Sequence, residues 1–455
     1  MLRLAILVVL IFMVSEQLVF SAESLLRPAR SFFVDYVWSG APVGFQLVTR
    51  GSKQYVAYYD SERRMTIACR DLDSNHWTYK RLDERVGWDS HNSVTFAFDS
   101  EGYIHLSGNM HCVPLKYWRT TKPGDITTLE RIDRMIGRNE QRCTYPRFGS
   151  TPDGRLIFSY RDGGSGNGNE IVNVYDVASK TWSRYSEKPL FDGQGRMNAY
   201  YCGPVRDSKG IYHVAWVWRD TPDCATNHDV SYACSATFRD GFMRSDGSPI
   251  DLPITIENGE IIDPVPVKSG LLNNVSLSFD SQDRVMVTYH KFDEQGFTQV
   301  YTARLENGGW RIYRTTEWKD RWEFSGGGSI PRMISISSPQ VWGERKLYQV
   351  FTNKFLAPHA QVRFLNEKTL TQIGKPMRLY APELEIPSAK YTDDWQTNIS
   401  GGSLSEVVKK GHSWALRWES AGPNRDAPRD KVPPASKLYV IDLVTAVDRV
   451  QCPGL

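Results

Sequence analysis

The chain has 455 residues and a net charge of +3 at pH 7. It is too long for one ordinary globular core and too close to neutral for a nucleic-acid-binding surface, so we expect no nucleic acid partner. Apolar residues make up 40% and charged residues 24% of the chain, which excludes a largely disordered protein.

The first predicted element is an export signal over residues 1–22. Arg3 precedes an apolar stretch over residues 4–14, and the small residues Ser21 and Ala22 offer a cleavage site. No later segment has the roughly eighteen uninterrupted apolar residues of a membrane span. We therefore expect a secreted or periplasmic protein that leaves the membrane once the signal is cut. Cleavage after Ser21, or retention of the segment as an anchor, are the alternatives.

A repeated unit then runs from about residue 40 to 445: an alternating strand, a turn rich in Asp, Gly and Ser, and another alternating strand. Clear copies occupy residues 95–108, 147–162, 203–220 and 276–291, and weaker copies occupy 48–60, 340–354 and 406–419. Seven units of about 58 residues each are somewhat longer than common propeller repeats.

Period-two alternation of apolar residues is frequent in these units, and the helical spacing is rare. The pattern predicts an all-β fold, a seven-bladed β-propeller, with residues 23–455 forming a single domain. Residues 323–332, EFSGGGSIPR, are expected to form a loop between blades five and six.

Tryptophans recur after Asx or Gly turns, as in residues 70–82, 175–185 and 304–314. These segments resemble worn Asp-boxes, in which the turn binds its own backbone and the Trp packs between neighbouring sheets. Trp216, Trp218, Trp414 and Trp418 are likewise expected to pack between blades, the alternative being stacking on sugar rings.

Seven cysteines are an odd number for an exported chain. Cys202, Cys224 and Cys234 lie close in sequence to His213 and His228, which predicts a structural metal ion or a disulfide, with buried free thiols as the alternative. We expect no cofactor to be required for catalysis.

Two histidines bracket the stretch HNSVTFAFDSEGYIHLSGNMH, residues 91–111. His91 begins one strand of a predicted hairpin and His111 ends the other, so antiparallel pairing brings both to the same edge of the blade. The next unit ends an inner strand with Tyr160 and Arg161, followed by a glycine-rich loop that leaves space for a ligand. The alternative is that each histidine only binds a nearby loop.

Two His, a Tyr and an Arg suit β-elimination from a uronic acid. A cation neutralises the sugar carboxylate so that the adjacent ring C–H becomes acidic, a base removes that proton, and an acid protonates the leaving oxygen. Nearby positive charge lowers the pKa of a tyrosine from about 10, so that one Tyr can serve as base and then as acid.

Polar and aromatic residues at successive strand ends are candidates for binding an extended acidic saccharide. The predicted substrate-binding residues are Asn92, Arg161, Arg196, Tyr200, Arg219, His228 and His290.

The His91–Asn92 pair, SGNMH ending at His111, YRDGGSGNG from Tyr160 and the worn Asp-boxes resemble the BNR-repeat family of exported seven-bladed propellers that includes ulvan lyases. The resemblance implies an exported lyase that cleaves a uronic-acid-containing, ulvan-like polysaccharide. It implies His91, His111 and Tyr160 as catalytic residues. The family's arginine position corresponds to the region of Val174 here, so Arg161 or Arg196 would have to substitute.

Two other functions remain open. A sialidase-like hydrolase would need three arginines around one carboxylate and a Tyr–Glu nucleophile pair; Arg147, Arg161, Arg332 and Arg425 are available. A noncatalytic carbohydrate-binding propeller would bind the glycan without changing it. In each case we expect a monomer.

Overall fold

The computed structural model describes residues 24–446, and these form seven antiparallel sheets arranged as the blades of a β-propeller. The predicted all-β, seven-bladed fold is confirmed. The predicted export signal and Cys452 lie outside the described residues.

Each blade is a sheet of at least four strands, most of which pair with the strand next to them in the chain. Strand β1 (Leu26–Val37) belongs to blade seven. Blade one contains β2 (Gln46–Arg50), β3 (Lys53–Tyr59), β4 (Arg64–Asp71) and β5 (Thr78–Arg85). Blade two contains β6 (Val94–Phe98), β7 (Ile104–Gly108), β8 (Tyr117–Thr120) and β9 (Leu129–Arg131). Blade three contains β10 (Cys143–Ser150), β11 (Leu156–Gly164), β12 (Asn167–Asp176), β13 (Thr181–Arg184) and β14 (Phe191–Asp192).

The remaining blades follow the same order. Blade four contains β15 (Asn198–Arg206), β16 (Tyr212–Arg219), β17 (Asn227–Ser235), β18 (Phe242–Met243), β19 (Pro249–Ile250) and β20 (Glu260–Asp263). Blade five contains β21 (Ser276–Phe279), β22 (Val285–Phe292), β23 (Thr298–Glu306) and β24 (Gly309–Arg314). Blade six contains β25 (Ile334–Ile336), β26 (Gln340–Val341), β27 (Lys346–Asn353), β28 (Gln361–Asn366) and β29 (Gln372–Arg378). Blade seven adds β30 (Gln396–Gly401), β31 (Ser413–Ser420) and β32 (Ser436–Thr445) to β1.

The ring is closed by the pairing of its first and last strands. Strand β1 runs antiparallel to β32 from Leu26 opposite Thr445 to Val37 opposite Ser436. The blades therefore begin earlier in the chain than the predicted residue 40. Alternation alone could not show this, because β1 has no partner near it in sequence.

Recurrent aspartates fix the hairpins between strands. Asp99 Oδ1 accepts the backbone N–H of Glu101 at 3.0 Å and of Tyr103 at 2.9 Å. Asp60, Asp207, Asp280 and Asp293 accept N–H groups two and four residues ahead in the same way. The carboxylate thus satisfies turn donors that no strand partner reaches.

Tryptophans pack between blades, as predicted. Trp182 of blade three lies 5.8 Å, between ring centroids, from His105 of blade two, and Trp216 and Trp218 are fully buried. In the preceding turn, Asp176 Oδ1 accepts the backbone N–H of Ser179 at 2.7 Å.

The helices are short. The described residues form α1 (Pro382–Glu385), α2 (Leu404–Lys410) and the 3-10 turns Ile126–Thr128 and Cys224–Thr226. None of the helices in residues 24–446 is long and apolar enough to cross a membrane. The segment 323–332 is a loop between blades five and six, as predicted.

Candidate active site

A cavity of about 550 Å³ lies where all seven blades meet. Its walls come from the inner strands β10, β15 and β30 and from loops that precede or follow other inner strands. The residues that line it include the cations Arg147, Arg219, Arg332 and Lys354 but, in the part of the chain that the structure describes, no Asp or Glu. Such a wall favours an anionic ligand.

His91 and His111 lie together on one side of this cavity, with ring centroids 4.6 Å apart. In the hairpin of β6 and β7, Val94 stands opposite Gly108, and each histidine lies three residues beyond that pair. The predicted convergence of the two imidazoles is therefore confirmed.

The two imidazoles share one carboxylate. His91 Nδ1 lies 2.7 Å from Asp89 Oδ1, and His111 Nδ1 lies 2.5 Å from Asp89 Oδ2. A second carboxylate, that of Asp426, lies 3.2 Å from His91 Nδ1. Burial opposes protonation of His91, but Asp426 and Asp89 outweigh it and raise the pKa of His91 to about 9. At neutral pH His91 is an imidazolium.

Two tyrosines and two arginines continue the site beside the histidines. The ring centroid of Tyr145 lies 6.0 Å from that of His91 and 6.2 Å from that of Tyr200. The Tyr200 hydroxyl lies 3.2 Å from Arg161 Nη1 and 3.5 Å from Arg219 Nη1. The hydroxyl groups of Ser165 and Tyr200 are 2.9 Å apart.

Tyr200 is the more acidic of the two tyrosines. Burial disfavours its phenolate, but the charges of Arg161 and Arg219 outweigh this and hold the pKa of Tyr200 below its ordinary value. Burial, with the neighbouring Tyr200, raises the pKa of Tyr145. The Nη2 atom of Arg161 is buried without a hydrogen-bond partner among the described residues.

Tyr160 does not lie in the cavity, and its predicted place beside the histidines is wrong. Its side chain is fully buried in an aromatic cluster with Phe158 and Trp182. Its hydroxyl accepts a hydrogen bond from Arg184 at 3.2 Å, and burial raises its pKa. Successive residues of β11 face opposite sides of the sheet, so the same strand that directs Arg161 toward Tyr200 in the cavity wall directs Tyr160 away.

Three other predicted ligand residues also lie apart from the cavity wall. Arg196 is exposed and pairs with Glu257. His228 lies 3.0 Å from both Asp220 and Asp229. His290 is fully buried, with Nδ1 2.8 Å from the carbonyl oxygen of Gly270, and burial lowers the pKa of His290 to about 4.

Asn92 is adjacent to the site but buried. Its carbonyl oxygen accepts a hydrogen bond from Tyr59 at 2.6 Å, and its side-chain oxygen has no partner in the described part of the chain. Of the ten predicted residues, His91, Tyr200 and Arg219 line the cavity, and His111 and Arg161 pack behind its wall against His91 and Tyr200.

The sequence did not point to Asp89, Asp426 or Tyr145. Asp89 could have been found, since it lies two residues before His91, where an Asp caps the turn by accepting the His91 N–H at 2.8 Å. Tyr145 has a left-handed φ of 55° in β10, which no local pattern announces. Asp426 comes from the loop between β31 and β32, 335 residues after His91 in the sequence.

The four side chains Asp89, His91, His111 and Asp426 are the described group whose donor atoms, all within 4.8 Å of one another, could hold a metal ion. The nitrogen–oxygen separations of 2.7 and 2.5 Å to Asp89 are those of direct hydrogen bonds. Asp89, His91, His111 and Asp426 therefore form a hydrogen-bonded network.

The predicted disulfide among Cys202, Cys224 and Cys234 is not formed. All six cysteines of residues 24–446 are unpaired. Cys202 and Cys234 pack with the core between blades four and five, whereas Cys224 packs in a separate cluster with Leu272. Cys202 lies on β15 and Cys234 on β17, which β16 holds apart, and Cys224 lies in the 3-10 turn Cys224–Thr226.

A family model described as a BNR repeat-containing family member matches residues 53–318, more than half of the chain. The chain belongs to the BNR repeat-containing family. This confirms the resemblance drawn from the histidine and glycine-loop motifs.

Within its sequence, this BNR-repeat protein is 43% identical over 131 residues to the long isoform of ulvan lyase from Pseudoalteromonas sp. (strain PLSV). It is 41% identical over 131 residues to the long isoform of ulvan lyase from Alteromonas sp. (strain LOR). Each match covers 27% of this chain and 13% of the relative, so the chain spans a small part of the length of these proteins.

Solved structures show the same fold over almost the whole BNR-repeat chain. Polysaccharide lyase Uly1 aligns with a TM-score of 0.64 and 12% identity, covering 92% of this chain and 99% of that one. A PL25 ulvan lyase aligns with a TM-score of 0.62 and 15% identity, covering 90% and 96%. These likenesses establish the shared fold.

Proposed function

We propose that this protein is an exported polysaccharide lyase that cleaves a uronic-acid-containing, ulvan-like polysaccharide by β-elimination. The observation that carries the proposal is the convergence on one anion-favouring cavity of His91, paired with Asp89 and Asp426, and Tyr200, bonded to Arg161 and Arg219. The names of the relatives support it, as does a PL25 ulvan lyase solved with -[GlcA(1-4)Rha3S]- bound.

In the proposed reaction, the sugar carboxylate lies against the His91 imidazolium. Neutralising the carboxylate makes the C5–H bond of the uronate acidic. The Tyr200 phenolate, stabilised by Arg161 and Arg219, takes that proton.

The C4–O bond to the leaving sugar then breaks as the C4=C5 double bond forms. Tyr200, now protonated, returns its proton to the leaving oxygen. The protein needs no cofactor for these steps and acts as a monomer. Turnover should rise with pH as Tyr200 ionises and fall above about 9 as His91 loses its proton.

The hydrolase alternative fits the cavity less well. Most glycosidases place two carboxyl groups on either side of the scissile bond, whereas the described lining residues include none. A Tyr–Glu pair does exist, because the Tyr201 hydroxyl donates to Glu170 at 2.9 Å, but burial raises the pKa of both groups. A raised pKa makes Tyr201 a poor nucleophile.

The test is incubation of the full chain with a panel of acidic polysaccharides. A lyase forms an unsaturated product that absorbs in the ultraviolet, a hydrolase forms reducing ends without that absorbance, and a noncatalytic binding protein leaves the glycan unchanged. For a cleaved polymer, His91→Ala should abolish turnover while binding, measured by calorimetry, is largely kept. Normal turnover in His91→Ala would refute the proposed role of His91.

A further inference from the structure

Two consecutive non-glycine residues in the loop between β31 and β32 adopt a left-handed backbone. Arg425 has a φ of 54° and Asp426 a φ of 63°. This conformation is unfavourable for residues other than glycine and persists where the surrounding structure holds it, often at functional sites. The contacts of the Arg425 and Asp426 side chains show which parts of the molecule this backbone conformation connects.

Arg425 holds the residues 325–329, named here the glycine segment. Its Nη1 donates to the carbonyl oxygens of Ser325 at 2.7 Å and Gly327 at 3.0 Å, and its backbone N–H donates to that of Ser329 at 3.1 Å. These bonds join blade seven to the loop between blades five and six.

Blade four holds the other side of the glycine segment. Asp223 accepts the N–H of Gly326 at 2.5 Å, and the N–H of Cys224 donates to the Gly326 carbonyl at 2.9 Å. Gly328 has a φ of +70°, and a Cβ there would lie 2.7 Å from the Arg425 carbonyl oxygen. Gly328 and Ser329 line the cavity, so the glycine segment forms part of its wall.

Asp426 connects this wall to His91. Its Oδ2 accepts the N–H of Ser329 at 3.1 Å and lies 3.2 Å from His91 Nδ1, and its Oδ1 accepts the N–H of Ser90 at 3.4 Å. Asp89 contacts both imidazoles, whereas Asp426 forms an ion pair with His91 and not with His111. Asp426 therefore distinguishes the two histidines.

We propose that Asp426 is a positioning residue that holds the His91 imidazole in its charged, oriented state and ties it to the glycine segment of the cavity wall. The ionisable groups that face His91 are Asp89, His111, Tyr145 and Asp426. As a statement about turnover, the proposal rests on the function proposed above for His91. As a statement about the His91 imidazole and the glycine segment, it is independent of that function.

The experiment compares the wild-type chain with Asp426→Asn and Arg425→Gln. NMR titration of the histidine rings, with His91 assigned through a His91→Gln spectrum, gives the midpoints of His91 and His111. Hydrogen exchange reports on the glycine segment. Asp426→Asn keeps an acceptor for Ser329 but loses the charge, so the His91 midpoint should fall by about one unit or more.

Arg425→Gln is the matched control. It should leave the His91 midpoint in place while amide exchange in the glycine segment becomes faster. On a cleaved polymer, the alkaline limb of the kcat/KM profile should move to lower pH in Asp426→Asn. Asp426→Ser serves as a second variant if the thermal unfolding midpoint of Asp426→Asn shows that it folds poorly.

An unchanged His91 midpoint in Asp426→Asn would overturn the proposal. If the His91 midpoint falls in Asp426→Asn but the alkaline limb of the kcat/KM profile does not move, the proposed link between Asp426 and turnover is overturned. If no polymer is cleaved, the proposed function fails, and the titration and exchange results still decide the positioning role.

Discussion

Replacing Tyr200 and Tyr160 by phenylalanine, one at a time, shows which tyrosine acts in turnover. Tyr200 lies at the cavity in the structure, whereas Tyr160 was predicted from the sequence motif. Tyr200→Phe removes the hydroxyl beside Arg161 and Arg219, so turnover should fall about 10²- to 10⁴-fold, which raises the barrier by roughly 3–5 kcal/mol. Tyr160→Phe removes only the bond from Arg184. It should cost about 1 kcal/mol of stability and little activity.

The assay is the initial rate of unsaturated product on the same polymer, with thermal unfolding to show that both variants fold. Because each hydroxyl is hydrogen-bonded to arginine, Tyr160→Phe controls for the loss of a tyrosine–arginine bond away from the cavity. Loss of turnover in Tyr160→Phe together with normal turnover in Tyr200→Phe would refute the assignment of the base.

Three further predictions concern stability. Gly328→Ala should lower the free energy of unfolding by about 1–3 kcal/mol, since its Cβ would contact the Arg425 carbonyl, whereas Gly87→Ala has open space and should be neutral; thermal unfolding compares them. Leu26→Ala, at a fully buried position of the first strand, should cost about 2–5 kcal/mol in denaturant unfolding, and a loss below 1 kcal/mol would contradict the packing of Leu26. Stability should decrease as pH falls from 6.5 towards about 4, because the unfolded chain protonates His290 before the folded one does. His290→Gln should reduce this slope in urea titrations at pH 7 and 5, and an unchanged slope would exclude His290 as its source.

Much of the fold could be predicted because its information is local. Alternating residues and Asp-containing turns repeat within each blade, and the seven-sheet ring follows from counting them. The hairpin also placed His91 and His111 correctly, since the ladder from Val94 opposite Gly108 leaves equal extensions at both ends.

The rest of the site depends on information that is not local. Whether Tyr160 or Arg161 faces the cavity is a choice between the two sides of one strand, and a motif match does not specify that side. Tyr200 reaches Arg161 from the neighbouring blade, and Asp426 reaches His91 across the closure of the ring. Contacts of this kind, between blades, can be identified only from the three-dimensional structure.

The pairing of β1 with β32 has a consequence for how the molecule is made. The first strand finds its partner about 400 residues later, so the circle cannot be completed until synthesis has passed Thr445. Until then the last blade carries an open edge with unpaired backbone groups, which is a template for aggregation. A chain trimmed through Leu26–Val37 should consequently lose solubility before it loses the geometry of any individual blade.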